Sequence, residues 1–110
     1  MTNAQAEIEL PETVSPGEVA EAVAESLKNN QVEIIERESD PGYELIEAKS
    51  QPSLLSWGEE IYIQITPGKV EVASRSPSQI IDWGKSKQNV KQVEDTVRNH
   101  LSASGTLTPA

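Results

Sequence analysis

The stretch EIYIQITPGKVEV at residues 60–72 carries a clear signal of the fold, because apolar and polar side chains alternate on both sides of a Pro-Gly pair. Its three isoleucines share one face, and this period of two residues is typical of a half-buried β-strand. Pro67 and Gly68 favour a tight turn of type II, since proline presets one backbone dihedral and glycine allows a positive φ. The stretch therefore predicts a hairpin whose isoleucine and valine face packs against helices while its polar face meets water.

Three more strands are predicted on the N-terminal side of this hairpin. β-Branched residues indicate a strand over residues 31–39, and Asp-Pro-Gly at residues 40–42 turns the chain into a returning strand at residues 43–49. Nearer the N-terminus, apolar side chains alternate with glutamates over residues 6–10, which predicts a short, charged strand suited to the edge of a sheet. Residues 1–5 carry no pattern and are predicted to be disordered.

The first helix has a well-defined start in the sequence. Ser15 can cap it, Pro16 stands at the first helical position, and Glu18 completes a capping box. The paired asparagines at residues 29–30 predict its end. Its apolar face, spaced for a helix, consists of Val19, Ala20, Val23, Ala24 and Leu27.

A second helix is predicted after the 60–72 hairpin. Asp82 or Ser86 can cap it, and it ends at about Leu101. Small and polar residues at 102–110 predict a disordered C-terminal tail. The apolar stripe of this helix consists of Val90, Val93, Val97 and Leu101.

The order strand, helix, four strands, helix predicts an α+β fold. We expect a two-layer sandwich in which a mostly antiparallel five-stranded sheet carries both helices on one face. The chain has 110 residues, which suits one domain, predicted at residues 6–101.

Composition and charge restrict the function classes. The chain has no cysteine, so disulfides and thiolate metal sites are excluded. Its net charge is −9, and residues 1–50 hold twelve acidic side chains against three basic ones. This charge disfavours binding to nucleic acid and to anionic membranes. No apolar run is long enough to span a bilayer, and no signal peptide is evident, which predicts a soluble cytoplasmic protein.

The candidate binding site surrounds the loop between the last strand and the last helix. Two Trp-Gly pairs border the open end of the 60–72 hairpin, where the indoles form either a loop-closing pair or one wall of a site. Basic residues near the start of the last helix can add to the anion preference of its free N–H groups, or they can pair with the acidic half of the molecule. The candidate ligand- or partner-binding residues are Trp57, Arg75, Asp82, Trp83, Lys85 and Lys87.

No catalytic constellation is visible in the sequence. The one histidine, His100, is expected near the end of the last helix, where an imidazole interacts with terminal carbonyls. A Gly-x-Ser-x-Gly elbow, a phosphate-binding glycine loop and metal-ligand spacing are all missing. We therefore expect no enzymatic activity, no cofactor and no metal.

Several short motifs follow one another in the second half of the chain. They are Ile-Glu-Ala at residues 46–48, Ser-Arg-Ser at residues 74–76, and Asp-Trp-Gly at residues 82–84, followed by Asn89 in a helix. In these motifs and in its order of elements the chain resembles, over about residues 14–101, a bacterial family known as domain of unknown function 1499. The resemblance implies the same order of elements and no established activity.

These observations favour a non-catalytic binding or protein-interaction module. The alternative is a carrier that holds a small apolar or amphipathic ligand in a helix-grip-like pocket between sheet and helices. The expected partner is an unknown protein or a small anionic or amphipathic ligand, without nucleic acid and without a membrane span. We expect a monomer or a weak homodimer.

Overall fold

A computed structural model of the chain describes residues 2–50, 58–76 and 85–103. The strands follow one another in the sheet in the order β1-β5-β4-β3-β2, and every neighbouring pair is antiparallel. The predicted α+β fold, with a five-stranded antiparallel sheet and two helices, is confirmed. In chain order the elements are β1 (Thr2–Glu9), α1 (Pro16–Asn29), β2 (Glu33–Asp40), β3 (Tyr43–Lys49), β4 (Glu60–Thr66), β5 (Lys69–Ser76) and α2 (Lys85–Ala103).

Strand β1 is longer than the sequence indicates. It begins at Thr2 and pairs with β5 along its whole length, so the prediction that residues 1–5 are disordered is wrong for residues 2–5. The alternation is weak there because Ala4 and Ala6 are small, yet β5 offers an unpaired edge whose backbone groups need partners. The predicted edge position of β1 is confirmed.

The core lies between the sheet and the two helices. On the helix-facing side, Ile63 stands between Val72 on β5 and Ile46 on β3, and all three are buried. Helix α1 packs on β2, β3 and β4, while α2 packs on β1 and β5 and against α1. The predicted apolar stripes of both helices are buried: Val19, Ala20, Val23, Ala24 and Leu27 on α1, and Val90, Val93, Val97 and Leu101 on α2.

The start of α1 has the predicted capping box. The Ser15 N–H donates to the Glu18 carboxylate at 2.9 Å, and the Glu18 N–H donates to Ser15 Oγ at 3.3 Å. These two bonds satisfy N–H groups that a helix start otherwise leaves without partners. The pKa of Glu18 is lowered, chiefly by the donation from the Ser15 backbone and then by the contact with His100.

Helix α2 begins at Lys85 and continues to Ala103, two residues beyond the predicted end. Asp82, one of its two predicted caps, lies outside the described residues, as does the predicted tail from residue 104 onward. Neither this helix nor α1 is long and apolar enough to cross a membrane.

A buried charge ties β2 to its neighbours on the helix-facing side. Glu44 on β3 is 3% exposed, and it accepts hydrogen bonds from Arg37 at 3.2 Å and from Ser39. Arg37 also donates to Glu21 of α1 at 2.7 Å. Because a buried carboxylate is stable only when it is paired, Arg37 fixes the edge of the sheet beneath α1.

Candidate functional site

The sheet has one face covered by the helices and one that no described element covers. We call the second the open face. Its side chains alternate with the buried ones along every strand, and the strand register aligns them in rows across the sheet. The face also carries three cations, Lys49, Lys69 and Arg75. Its acidic side chains are Glu7, Glu9, Glu33, Glu36, Glu38, Asp40, Glu47, Glu60 and Glu71.

The centre of the open face is hollow. Ala73 stands between Gln5 on β1 and Tyr62 on β4, and its small side chain leaves space that larger neighbours would fill. These three residues line two adjoining depressions of about 380 and 280 Å³. Leu45 borders the larger one and Arg75 the smaller one. We refer to both together as the open-face depression.

A hydrogen-bonded group stands at one end of the open-face depression. The Tyr62 hydroxyl donates to Glu60 Oε2 at 2.7 Å, and Arg75 Nη2 lies 2.6 Å from the same oxygen. Donation by Tyr62, and then by Arg75, lowers the pKa of Glu60. The carboxylate in turn raises the pKa of Tyr62 and that of Arg75.

The directions of these pKa shifts determine what Tyr62, Glu60 and Arg75 can do chemically. A general base or nucleophile is most effective when its pKa lies near the working pH, whereas the pKa of the Tyr62 phenol moves further above neutrality. At neutral pH the group is therefore a protonated phenol, a carboxylate and a guanidinium that hold one another. This arrangement orients Tyr62 beside the open-face depression and suits binding.

The structure separates the predicted site residues that it describes. Arg75 lies on the open face, whereas Lys87 is exposed on α2, which packs on the opposite face of the sheet. The backbone of Lys85 starts α2. Arg75 and Lys87 therefore do not join in one anion site, and Arg75 is already paired with Glu60. Trp57, Asp82 and Trp83 lie outside the described residues.

A polar cluster closes one end of the helix-covered face. Glu59 is completely buried just before β4, where Ser50 Oγ donates to its carboxylate at 2.9 Å and its own N–H donates to Ser50 Oγ at 2.8 Å. One strand further, Asn89 on α2 donates to the buried Ser74 of β5 at 3.2 Å. These bonds satisfy polar groups at the end of an otherwise apolar layer.

Two other kinds of chemistry concern the histidine His100 and groups of residues that could bind a metal ion. The imidazole of His100 lies 3.4 Å from the carboxylate of Glu18 at the start of α1, so its described contact is a carboxylate instead of the expected helix-end carbonyls. Within residues 2–50, 58–76 and 85–103, no three histidine, aspartate or glutamate side chains are grouped as metal ligands.

Sequence reasoning missed most of the open-face site. Tyr62 carried a usable signal, because it is an aromatic residue on the polar side of a cleanly alternating strand. Ala73 carried none, since an alanine on a solvent-facing side is an ordinary residue. Its importance arises only from the cross-strand register that aligns it with Tyr62.

Comparison with models of known protein families and with curated proteins finds no match for this chain. The resemblance to domain of unknown function 1499 therefore stays a prediction.

Proposed function

We propose that this protein is a non-catalytic interaction module that binds a partner protein with the open face of its sheet. The observation that carries the proposal is the open-face depression, which no described element covers and which has an aromatic ring as part of its lining. The larger depression, at about 380 Å³, lies at the lower end of the range of ligand pockets, and depressions of this kind also accept anchoring side chains of protein partners.

The shape of the surface favours a macromolecular partner. The depressions are open to solvent and lie side by side across β1, β3, β4 and β5, so a small ligand bound there would keep part of its surface in water. Five strands at ~4.8 Å spacing and about 3.3 Å per residue give a face of roughly 20 by 25 Å. This area, roughly 500 Å², is smaller than the ~800 Å² that each partner contributes to a standard interface and corresponds to a weak or transient complex.

The chemistry of the surface favours binding over catalysis. Tyr62, Glu60 and Arg75 are bonded to one another, and the pKa of the phenol is shifted away from neutrality. Proteins that recognise partners commonly use tyrosine and arginine in this way, as rigid contact residues with satisfied polar ends.

The carrier alternative has less support. Both depressions lie on the open face, whereas a helix-grip-like pocket would lie between the sheet and the helices. Buried side chains such as Ile63, Val72 and Val97 occupy that layer in the described part of the chain. A cytoplasmic location and a monomeric or weakly dimeric state remain predictions that accompany the proposed function.

Selection of peptides from a displayed random library tests the proposal. Peptides selected on the wild-type protein should lose binding to Ala73→Gln, because the longer neutral side chain fills the open-face depression. They should keep binding to Lys87→Gln, which changes an exposed residue on the opposite layer. Melting curves of both variants check that they fold. Peptides that bind wild type and Ala73→Gln equally would place the binding surface elsewhere and refute the proposal.

A further inference from the structure

One pair of acidic residues on the open face forms no ion pair in the described part of the chain. Glu36 on β2 lies directly opposite Glu47 on β3, and neither carboxylate has an ion-pair or hydrogen-bond partner among the described residues. Like charges in this position destabilise a sheet. The other like-charged pair on this face, Glu7 and Glu71, is neutralised by Lys69, whose Nζ lies 3.6 and 2.9 Å from the two carboxylates.

A β-bulge produces this pairing. The register shifts between Ile34 and Glu36, so the extra residue, Ile35, moves Glu36 from the helix-facing side to the open face. With regular alternation, Glu36 would face the same side as Ile34. Bulges commonly re-aim a side chain, and this one brings two carboxylates together on an edge strand.

The Glu36–Glu47 pair lies in the same cross-strand row as Tyr62 and Ala73, which line the open-face depression. Glu47 is half-buried and lies opposite Tyr62, which lies opposite Ala73. An arginine guanidinium placed beside Glu47 and Glu36 would neutralise the two carboxylates, while its aliphatic stem would lie along the ring of Tyr62. Arginine suits such a position because it forms bidentate bonds with carboxylates and stacks on aromatic faces.

We infer that the partner inserts an arginine between the Glu36–Glu47 pair and Tyr62, next to an apolar side chain in the open-face depression. This inference rests on the proposed function and specifies its partner as a basic segment. Charge complementarity carries it, because nine acidic and three basic side chains line the open face. A second copy of this chain would present the same acidic open face and would be repelled there. The small anionic ligand expected from the sequence would be repelled for the same reason.

The test uses a short fluorescein-labelled peptide with arginines on both sides of a leucine, and the same peptide with neutral citrullines. Fluorescence anisotropy should show binding of the arginine peptide and at least severalfold weaker binding of the citrulline peptide. Glu47→Gln should weaken binding of the arginine peptide about threefold, as for other exposed ion pairs. The same variant should raise the melting temperature by about 1–5 °C, because it removes a like-charge contact.

Matched controls separate this site from general electrostatics. Glu25→Gln removes an exposed charge from α1, on the opposite layer, and should leave peptide affinity unchanged. Glu71→Gln deprives Lys69 of its nearer partner and should not raise the melting temperature. A melting temperature that rises for Glu47→Gln and does not rise for Glu71→Gln distinguishes a repulsive pair from a surface glutamate that is already ion-paired.

Different experimental outcomes would refute the arginine site and the proposed binding face. If Ala73→Gln abolishes binding but Glu47→Gln and citrulline have no effect, the arginine site is refuted and the binding face stands. If Glu25→Gln weakens binding as much as Glu47→Gln, only total charge matters and the inference is also refuted. If the arginine peptide binds Ala73→Gln as well as wild type, the binding face itself is wrong.

Discussion

Truncation of Ile63 to alanine is predicted to remove a large part of the stability of this domain. Ile63 is fully buried at the centre of β4, between Val72 and Ile46 and beneath the helices. The three lost carbons correspond to about 2.4 kcal/mol at ~0.8 kcal/mol per buried CH₂. The residual cavity adds roughly 1–2 kcal/mol, since a central strand cannot move into the gap. We expect a loss of about 4 kcal/mol from a total that is typically 5–15 kcal/mol.

Urea unfolding followed by circular dichroism measures this loss. With a slope of about 2 kcal/mol per molar urea, the midpoint should fall by roughly 2 M. Ile63→Val should reduce the free energy of unfolding by only about 1 kcal/mol. Ile35→Ala is the matched control, because Ile35 is 54% exposed and its truncation should change stability by less than about 0.5 kcal/mol.

A small loss of stability in Ile63→Ala would refute close packing around this residue and would favour the carrier alternative. If Ile63→Ala loses less than about 2 kcal/mol with an unchanged slope, the two layers are not close-packed around this residue. That outcome would indicate free space between sheet and helices, which a carrier of apolar ligands requires.

Three further predictions concern hydrogen bonds seen in the structure. Ser15→Ala removes one half of the capping box and should lower the free energy of unfolding by about 1 kcal/mol in urea titrations; no change would mean that α1 does not depend on this cap. Because the pKa of Glu18 is lowered in the folded state, its contribution is present above the ordinary pKa and disappears as pH falls through the lower value. Melting curves below about pH 4.5 should therefore depend less on pH for Glu18→Gln, and identical acid limbs would contradict this. Tyr62→Phe removes the largest cause of the lowered pKa of Glu60, so the carboxyl titration of Glu60 followed by ¹³C NMR should move to higher pH; an unmoved midpoint would show that Arg75 alone holds the carboxylate.

Local patterns predicted the elements well where the chemistry is local. The start of α1 depends on a serine and a glutamate three residues apart, so the capping box follows from neighbouring residues alone. Gly68 has a φ of 91°, the positive value expected for the position after Pro67 in the predicted turn. The beginning of β1 was less predictable, because residues 2–5 form a strand only through pairing with β5.

The candidate site was predicted poorly for a physical reason. Its residues come from four strands, and what unites them is a row across the sheet instead of a spacing along the chain. Arg75 was expected, as one alternative, to pair with the acidic half of the molecule at residues 1–50, but it pairs with Glu60 of the other half, because the register of β4 and β5 sets these two side chains opposite each other. A one-residue shift would send either side chain to the other face.

The sequence alone predicts the class of the fold, both hairpins, and which side chains of β4, β5 and the two helices lie in the core. A period of two or 3.6 residues contains that information, since it follows from backbone geometry within one element. Tertiary contacts alone place β1 beside β5, set Glu36 against Glu47 through a bulge at Ile35, and leave the face opposite the helices hollow. These features depend on contacts between residues distant along the chain, where pairing and packing of whole elements outweigh local preference.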